Sequence, residues 1–308
     1  MSLKHIYWFA PHGLIGPSCR YRAYYPLKTI KSEFQITYDF VYPSMTFNGI
    51  IKFLYVLLKA LFLSNKDSAI VIQKVCSNRI YARLLKILVL LRNKNTIYDI
   101  DDAEYLRNSD HTLIYFLRKC RTITVGSRQL ESYCKKFNPN VKLNTSPVIS
   151  HSFKKQKRNK IPNIGWVGDF GNGKEVSREF SHKTSIYKIL FPQLKRIQIP
   201  FKLSIIGVKN SLDIPEIFEY FKNCSNIKVD VPDNLNWEED FWVYDKIKDF
   251  DIGVSPLVNH EFNESKSAFK AKQYLSAGIP VIASSVGENN YFVKHGESGF
   301  LCKNGLEF

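Results

Sequence analysis

Short apolar segments of strand type alternate with helical segments along the chain, and this alternation occurs twice. In the first half, strands are predicted at 6–10, 69–72, 96–99, 122–125 and 141–143, with helices at 20–31 and 79–91 and Ser127 as the N-cap of a further helix. In the second half, strands are predicted at 163–168, 202–206, 227–229, 251–254 and 280–283. Strands that alternate with helices are typical of a parallel sheet covered by helices on both faces. The sequence therefore predicts α/β structure in both halves.

A polar and basic stretch separates the two halves. Residues 151–160 read His-Ser-Phe-Lys-Lys-Gln-Lys-Arg-Asn-Lys and lie between Pro147 and Pro162, a composition typical of a linker. We therefore predict an N-terminal domain at 1–150, a linker at 151–162 and a C-terminal domain at 163–308. Because ligands of parallel α/β sheets bind beyond the carboxyl ends of the strands, functional residues are expected in the loops that follow strands.

The net charge of the chain is carried by its N-terminal half. Residues 1–158 contain 26 Lys and Arg against 9 Asp and Glu, a net charge of +17, whereas residues 159–308 contain 18 against 19, a net charge of −1. This asymmetry indicates that the first half meets an anionic partner, which is a membrane surface, a phosphorylated lipid or a nucleic acid. The alternative is a solvated basic surface without a specific partner.

The most apolar segment of the chain covers residues 49–63. It is 15 residues long and carries Lys52 and Lys59. A helix that spans a membrane needs about 20 apolar residues, so this segment is too short to cross one. Packing as a helix in the core is favoured, because helices that cover a parallel sheet are normally apolar. A helix that also touches a membrane interface, with its lysines reaching into the headgroups, stays open as the alternative.

The cysteines and the N-terminus indicate the compartment. The six cysteines have neither a Cys-x-x-Cys pair nor a matching histidine spacing, and they are Cys19, Cys76, Cys120, Cys134, Cys224 and Cys302. Neither a disulfide framework nor a zinc site is predicted, and a reducing compartment is expected. The first ten residues have the pattern of a strand rather than of a signal peptide, because their apolar run is too short. A cytoplasmic protein is therefore expected.

A glycine-containing loop follows the first predicted strand. It begins at His12, has glycines at Gly13 and Gly16, and leads into a helix that carries Arg20 and Arg22. Backbone N–H groups of such a loop can approach a phosphate, and the arginines could supply forked donors to it. The motif is weak alone, since it matches neither a dinucleotide fingerprint nor a Walker loop, and a plain structural turn is the alternative.

A second glycine-rich stretch, residues 165–174, follows the first strand of the C-terminal half. Its spacing misses the dinucleotide fingerprint, and no acidic residue ends a second strand about twenty positions later. An NAD-dependent enzyme is therefore not expected. A backbone-lined pocket for a diphosphate or a sugar is predicted instead, with Gly168 in this stretch and Gly207 at the end of the following strand.

Two lysines lie four residues apart near the C-terminal end of the chain. Lys266 and Lys270 are predicted to open a helix and to share one face of it. An anion bridging the two ammonium groups would offset their repulsion, and the end of this helix leads directly into a buried strand, which puts the pair at the carboxyl edge of the sheet. A solvated lysine face is the alternative.

A short acidic motif, Asp99-Ile-Asp101-Asp102, follows another strand of the first half. It is similar to an Asp-x-Asp metal-binding motif. A turn at the end of a strand, with Asp102 capping a helix, is favoured, because Asp prefers that position. No metal site is therefore predicted.

Several motifs taken in order resemble a known family. Residues 249–301 contain Asp-Phe-Asp-Ile-Gly-Val-Ser-Pro-Leu, Lys-Ser-Ala-Phe-Lys, Gln-Tyr-Leu-Ser-Ala-Gly-Ile-Pro-Val-Ile-Ala-Ser-Ser-Val-Gly and His-Gly-Glu-Ser-Gly-Phe-Leu. They are similar to the donor-binding region of the large retaining glycosyltransferase family of group 1, or family 4-like, type. The stretches at 16–22, 98–102 and 125–130 support this resemblance.

The resemblance implies a GT-B fold, that is, two Rossmann-like α/β domains whose parallel sheets face each other across a cleft. It implies a hexosyltransferase of class EC 2.4 that moves sugar from a nucleotide-diphosphate donor to a glycan or lipid-linked acceptor, with retention and without a metal or other cofactor. Cell-surface polysaccharide synthesis at the inner membrane face is the implied setting. The family usually adds a final helix, so the C-terminal domain is expected to be truncated at Phe308.

The site residues that follow from the motifs and the resemblance form two sets. The predicted catalytic residues are Lys266, Lys270 and His12. The predicted donor-binding residues are Gly13, Gly16, Arg20, Arg22, Gly168, Gly207, Glu264, Ser265, Phe269 and Gln273. The two-glutamate signature of the family falls on Ser265 and Gln273, and Glu264 lies one position out of register.

Two other function classes stay open from the sequence. A catalytically silent GT-B-like binding or scaffold subunit is favoured by Gln273 in place of a glutamate. A nucleic-acid-binding protein is suggested by the basic half, but aromatic residues do not alternate with its Lys and Arg clusters as single-strand binders require. No nucleic-acid partner is therefore expected.

Overall fold

The chain forms two compact α/β units, Met1–Pro147 and Val148–Phe308. The computed structural model describes residues 3–74, 79–106, 111–150, 157–171, 178–208, 212–232, 236 and 240–308. The predicted linker at 151–162 falls at the beginning of the second unit, and its residues 151–156 lie outside the described part, as do Cys76 and residues 172–174 of the second glycine-rich stretch.

The first unit, called unit 1 below, contains a parallel sheet of six strands. The strands are β1 (His5–Phe9), β2 (Thr37–Val41), β3 (Ser68–Gln73), β4 (Thr96–Ile100), β5 (Thr122–Val125) and β6 (Val141–Leu143). Their order across the sheet is β2-β1-β3-β4-β5-β6. All five predicted strands of this half are present. The sequence analysis missed β2, an edge strand whose residues are mostly half-buried and which lacks a clear apolar alternation.

Helices connect these strands in the way that parallel pairing requires. They are α1 (Pro17–Cys19), α2 (Tyr25–Phe34), α3 (Phe47–Leu63), α4 (Arg79–Arg92), α5 (His111–Lys119) and α6 (Arg128–Lys135). A π-helical turn, Arg20–Tyr24, joins α1 to α2, so the predicted helix at 20–31 belongs to a longer helical stretch. Ser127 caps α6 as predicted, because its hydroxyl accepts a hydrogen bond from the Leu130 N–H at 3.3 Å.

The second unit, unit 2, contains another parallel six-stranded sheet. The strands are β7 (Asn163–Val167), β8 (Phe201–Ile206), β9 (Ile227–Asp230), β10 (Ile252–Ser255), β11 (Val281–Ser284) and β12 (Gly299–Cys302). Their order is β12-β11-β10-β7-β8-β9. The prediction of two Rossmann-like α/β units is confirmed by the two sheets. The edge strand β12 was not predicted.

The helices of unit 2 are short. They are α7 (His182–Ser185), α8 (Phe191–Leu194), α9 (Asp213–Phe221), α10 (Asp240–Ile247), α11 (Glu261–Glu264), α12 (Phe269–Ser276) and α13 (Asn289–Phe292). A π-helical turn, Ile186–Leu190, makes α7 and α8 one continuous helix. The predicted helix that begins at Lys266 is wrong at its start, because α12 begins only at Phe269.

The strand order locates the place in each sheet where a ligand can enter. In unit 2 the chain runs outward from β7 to β8 and β9, and then returns to the other side of β7 with β10. The helices that follow β7 and β10 therefore cover opposite faces of the sheet, and their N-termini diverge at the carboxyl ends of these two strands. The same reversal occurs in unit 1 between β1 and β3. These two places are the switch points of the sheets.

Close packing in unit 2 depends on strand glycines. A Cβ on Gly253 of β10 would lie 2.4 Å from the ring of Tyr274, and a Cβ on Gly165 of β7 would lie 2.2 Å from the ring of Phe250. The Tyr274 side chain is fully buried, and its hydroxyl oxygen accepts a hydrogen bond from the Val167 N–H at 2.9 Å. This contact fixes α12 against the carboxyl end of β7.

Within the described ranges, none of the helices is both long enough and apolar enough to cross a membrane. The most apolar one, α3, buries one face, formed by Phe53, Val56, Leu57 and Ala60, against the rest of unit 1. The prediction of core packing is confirmed for this face.

We expect Gly299→Ala to destabilise unit 2. A Cβ at this position would lie 1.9 Å from the carbonyl oxygen of Val281 in the paired strand β11, and a backbone atom in a sheet cannot move aside freely. The expected loss is about 1–3 kcal/mol in the free energy of unfolding, measured by urea denaturation. Gly305→Ala is the control, since its nearest neighbours lie 3.9 Å away. Equal losses for the two variants would contradict the pairing of β11 with β12.

Candidate donor site

Two side chains meet at the switch point of unit 2. His182 is the first residue of α7, which follows β7, and Lys270 is the second residue of α12, which follows β10. The Lys270 Nζ lies 3.0 Å from the His182 Nε2. Because an ammonium group offers only donors, the ring nitrogen is the acceptor and the imidazole is neutral in this arrangement. A cation is thus held at the place where α/β sheets bind ligands.

The stem of Lys270 lies across the end of β7. A Cβ on Gly168 would lie 2.8 Å from the Lys270 Cε and 2.7 Å from the Trp166 ring, so the absence of a side chain at Gly168 makes room for both. The Lys270 Nζ lies 5.6 Å from the centroid of the Trp166 indole, which adds a cation–π contact. The structure therefore brings together two predicted site residues, Gly168 and Lys270.

Lys266 is not on the helix that carries Lys270. It lies in the segment between α11 and α12, so the predicted shared helical face does not exist. The chain turns at Ala268, which has a left-handed backbone with a φ of 53° and occupies the N-cap position of α12. The Lys266 Nζ lies 4.9 Å from the centroid of the Phe262 ring. Both lysines still lie within one turn of the N-terminus of α12.

The left-handed residue Ala268 also affects the electrostatics of α12. An L-residue with a β-carbon adopts this conformation at a cost of about 1–2 kcal/mol. Alanine has no side-chain oxygen that could accept a hydrogen bond from the first N–H groups of the helix, as Ser, Thr, Asp or Asn would do. The Ala268 side chain therefore caps none of these N–H groups.

Glu264 and Ser265 hold the loop before α12 in place. The Glu264 Oε2 accepts a hydrogen bond from the Gly287 N–H at 2.6 Å. A Cβ on Gly287, which has a φ of +54°, would lie 2.5 Å from the Glu264 carbonyl oxygen. Ser265 is fully buried, and its hydroxyl donates to the carbonyl oxygen of Phe262 at 2.7 Å. These contacts tie the loop to the segment after β11.

The remaining predicted residues of unit 2 also lie at this edge. Phe269 and Gln273 are one turn apart on α12, with Phe269 half-buried and Gln273 buried at 7% exposure. Gly207 follows β8 directly and has a φ of 113°, a conformation that favours glycine. Gly168 and Gly207 follow neighbouring strands, and the Gly168 N–H donates to the carbonyl oxygen of Ile206 at 2.8 Å.

His182 and Trp166 are parts of this site that the sequence analysis did not select. Ser181 caps α7, and its hydroxyl oxygen accepts from the Thr184 N–H at 3.0 Å. A serine before a helix is a readable start signal, so the beginning of α7 could have been located. The contact between His182 and Lys270 joins positions 88 residues apart and has no local signal.

The loop after β1 in unit 1 is built around His12. A Cβ on Gly16 would lie 1.7 Å from the Cε1 of the exposed His12 ring, so the ring rests directly on the glycine. The His12 Nδ1 lies 3.0 Å from the Gly13 carbonyl oxygen and 3.3 Å from the Sγ of Cys19. Burial raises the pKa of the Cys19 thiol to about 12, so this group stays protonated near neutral pH. Gly16 thus serves a packing need.

The two arginines of this loop have roles different from the predicted one. Arg20 is buried, and its Nη1 donates to the carbonyl oxygens of Leu14 and Ile15 at 2.6 and 3.1 Å. Arg22 is buried too, with its Nε and Nη2 donating to the two carboxylate oxygens of Asp99 at 2.9 and 2.5 Å. These forks are directed at protein groups of unit 1 rather than at a phosphate.

The charge state of Arg22 follows from this pairing. Burial alone would lower the pKa of its guanidinium, but the charge of Asp99 and the hydrogen bonds to it outweigh burial and raise the pKa. Asp99 also accepts a hydrogen bond from the Thr124 hydroxyl at 2.6 Å. The Arg22 guanidinium therefore stays protonated, and its contact with Asp99 connects the helical stretch after β1 with β4 and β5.

A second ionic group lies at the switch point of unit 1. The Lys74 Nζ lies 2.7 Å from a carboxylate oxygen of Asp101 and 2.7 Å from one of Asp102, and Ser18 donates to Asp101 at 2.6 Å. Burial would lower the pKa of Lys74, but the two carboxylates raise it. The acidic motif therefore holds a lysine. In the described parts of the chain, no group of three or more His, Cys, Asp and Glu could hold a metal ion.

The comparisons with known proteins start from unit 2. Residues 162–307 match the family model described as glycosyl transferases group 1. Unit 2 therefore belongs to the group 1 glycosyltransferases. No sequence among curated proteins matches the chain.

Solved structures are similar to the whole chain and identify its fold. Anabaena HepE in complex with UDP and glucose is similar at 11% identity, with a TM-score of 0.62, over 98% of this chain and 86% of that one. Sucrose-phosphate synthase from Thermosynechococcus elongatus is similar at 13% identity, with a TM-score of 0.69, over 99% and 87%. The lipopolysaccharide outer core galactosyltransferase WaaB is similar at 15% identity, with a TM-score of 0.59, over 98% and 86%. The chain has the GT-B fold, which confirms the predicted fold class.

We expect Arg22→Ala to destabilise unit 1 by about 3–5 kcal/mol, because it would leave the carboxylate of Asp99 buried without its cation. The loss is measured by urea denaturation, from the unfolding transition of unit 1. The double variant Arg22→Met with Asp99→Leu removes both charges and is expected to lose clearly less stability than the single variant. If the single variant were as stable as the parent, the structural role of this pair would be excluded.

Proposed function

We propose that this glycosyltransferase binds a nucleoside-diphosphate sugar at the switch point of unit 2 and transfers the sugar to a glycan or lipid-linked acceptor, as a hexosyltransferase. The observation that carries the proposal is the Lys270 ammonium, held over Gly168 by His182 at the N-terminus of α12. A diphosphate carries the opposite charge and needs both a cation and backbone N–H donors, and this edge of the sheet has both.

The bound ligands of similar structures support this donor class. Anabaena HepE was solved with UDP and with UDP-glucose. At identities of 11–15% these likenesses show the fold alone, so the nucleotide base of the donor of this chain is left to experiment. The family match of unit 2 and the cation at its switch point support a nucleoside diphosphate as the shared chemistry.

The reaction we propose is a displacement with retention at the anomeric carbon. The bond between C1 of the sugar and the β-phosphate oxygen breaks, and a bond from C1 to the acceptor oxygen forms on the same face. The departing phosphate oxygen takes the proton of the acceptor hydroxyl, so that charge and protons balance without a protein general base. Lys270 and Lys266 stabilise the charge that grows on the diphosphate, which is often the largest catalytic term, and in this proposal they replace a metal ion.

Three other predicted residues of unit 2 have roles in this proposal. Gln273 can donate to and accept from a sugar or ribose hydroxyl, and Glu264 and Ser265 act by holding the loop before α12. The prediction that the loop of His12, Gly13 and Gly16 contacts the donor stays a prediction.

We further propose that the acceptor belongs to cell-surface polysaccharide synthesis and that the enzyme works in the cytoplasm at the inner membrane face. The similarity to WaaB, a lipopolysaccharide galactosyltransferase, supports the acceptor class. The net charge of +17 in residues 1–158 supports an anionic surface as partner.

The first test is the affinity for UDP, GDP, ADP and CDP, measured by isothermal titration calorimetry, and the variants are measured with the diphosphate that the parent binds. Loss of one charge-assisted contact is expected to weaken binding by about 10-fold to 100-fold for Lys270→Ala. Lys266→Ala is expected to lower both affinity and the rate of donor hydrolysis. Lys294→Ala, which removes an exposed lysine of unit 2 that pairs with Glu297, is the control and should bind as the parent does. Equal affinity of Lys270→Ala and the parent would remove the assigned role, and a parent that binds no nucleotide diphosphate would overturn the proposal.

A catalytically silent binding subunit is the second candidate function. It is favoured by Ser265 and Gln273 at the positions of the family's two glutamates. The same calorimetry, followed by hydrolysis assays with several nucleotide sugars, separates the two: binding with no hydrolysis or transfer for any donor would favour the silent subunit.

A further inference from the structure

Helix α3 is apolar on the side that faces solvent as well as on the side that faces the core. Its exposed apolar residues include Phe47 at 77%, Leu58 at 51% and Phe62 at 70% exposure. The others are Ile50, Ile51, Leu54, Tyr55 and Leu63. They recur at intervals of three and four residues and therefore form one stripe along the helix. An ordinary surface helix carries charged residues at these positions.

Helix α4 lies beside α3 and widens this surface. The two helices are in contact, with the rings of Phe53 and Tyr81 at a centroid distance of 4.3 Å. The exposed apolar residues of α4 are Ile80, Ile87, Leu90 and Leu91, each more than half exposed. We call the exposed apolar residues of α3 and α4 together the α3–α4 face. Single exposed apolar residues are normal on a protein surface, but twelve on two adjacent helices indicate an interaction surface.

Positive charge surrounds the α3–α4 face. Residues 42–95 contain nine Lys and Arg against one acidic residue, Asp67. Two of the nine, Lys59 and Lys74, pair with carboxylates outside this range, which leaves a net charge of +6. Lys52, Arg79 and Arg83 are exposed on the two helices. The occupant of this face must therefore be apolar where it contacts the stripe and anionic around it.

These properties fit a lipid surface better than a second copy of the chain. In a symmetric dimer each face would pack on itself, which would bring the two sets of positive residues together. An anionic bilayer instead offers acyl chains to the stripe and phosphates to the lysines and arginines. At 17 residues, α3 suits a position in the plane of the interface, since crossing needs about 20 apolar residues.

The α3–α4 face reaches the carboxyl edge of the unit 1 sheet. The segment between β2 and α3 exposes Met45 at 85% and Tyr42 at 40%. A Cβ on Gly13 would lie 3.1 Å from the Tyr42 ring, so this segment packs on the loop after β1. Helix α4 begins at the same edge, and Ile80 in its first turn is 68% exposed.

We propose that the α3–α4 face is a docking surface for an anionic bilayer, on which α3 lies in the interface plane with the loop after β1 beside the lipid headgroups. This deepens the proposed function and rests on it only for the lipid-linked acceptor, which would then be received at this edge. In this proposal α3 packs in the core of unit 1 on one side and contacts the membrane interface on the other.

The test is binding to phosphatidylcholine vesicles with and without phosphatidylglycerol, measured by co-sedimentation of the full chain. The parent is expected to bind when phosphatidylglycerol is present and to bind less as salt is raised. The double variant Leu58→Gln with Phe62→Gln is expected to lower the partition coefficient at least about tenfold, since two apolar side chains no longer enter the interface. Leu212→Gln with Phe218→Gln, a matched pair of exposed residues in unit 2, is the control and should bind as the parent does.

A charge variant tests whether the basic residues of the α3–α4 face attract anionic lipid. Arg83→Glu reverses an exposed charge of α4 and is expected to weaken binding to the anionic vesicles by about fivefold or more. Three results would overturn the inference: no binding of the parent, equal binding of the α3 variant and the parent, or a dimer in solution that the α3 variant dissolves while vesicle binding is absent. Affinity for nucleoside diphosphates is measured on every variant, because a parent that binds vesicles but no nucleoside diphosphate would overturn the proposed function and leave the docking surface in place.

Discussion

The reversal of strand order beside β7 is the constraint on which the candidate site depends. Parallel strands require long crossovers, and a sheet that grows first to one side and then to the other must send the two crossover helices to opposite faces. Their N-termini then leave an opening at the carboxyl ends of β7 and β10. His182 and Lys270 are the residues that these two helices bring to it. The topology thus sets where the opening lies, and the contact between His182 and Lys270 sets where the ammonium lies within it.

Unit 1 has the same reversal of strand order, but the positive side chains at its switch point are paired with carboxylates. The positive side chains nearest its switch point, Arg22 and Lys74, are neutralised by Asp99 and by Asp101 with Asp102. Buried ions of this kind need their partners, because an unpaired charge away from water is very costly. The free positive charge of unit 1 is carried instead by exposed residues such as Arg79 and Arg83. Counting charges along the sequence does not distinguish these two populations, although they act on different partners.

The sequence predicted what is set by local pattern and missed what is set by distant contacts. Short apolar runs located ten of the strands, and Ser127 located a helix start, because both signals lie within a few residues. The arginine of the first loop was expected to bind phosphate, but its partner Asp99 lies 77 residues away. Lys266 was placed on a helix because its spacing to Lys270 suits one. The left-handed residue Ala268 precedes the start of α12, and because it is not a glycine the sequence contains no signal for this turn.

The apolar segment of the first half is helix α3. Core packing was favoured for it, since a helix that covers a sheet needs one apolar side, and a helix that also touches a membrane interface was the alternative. Helix α3 has two apolar sides: Phe53 and Val56 face the sheet, and Phe47, Leu58 and Phe62 face outward. Its Lys59 does not reach outward either, because its ammonium binds the Asp39 carboxylate at 2.7 Å. Lys52 is the exposed charge of this helix, and an apolar stripe of this length beside it marks an interaction surface. The basic residues around it make an anionic lipid surface the cover that fits.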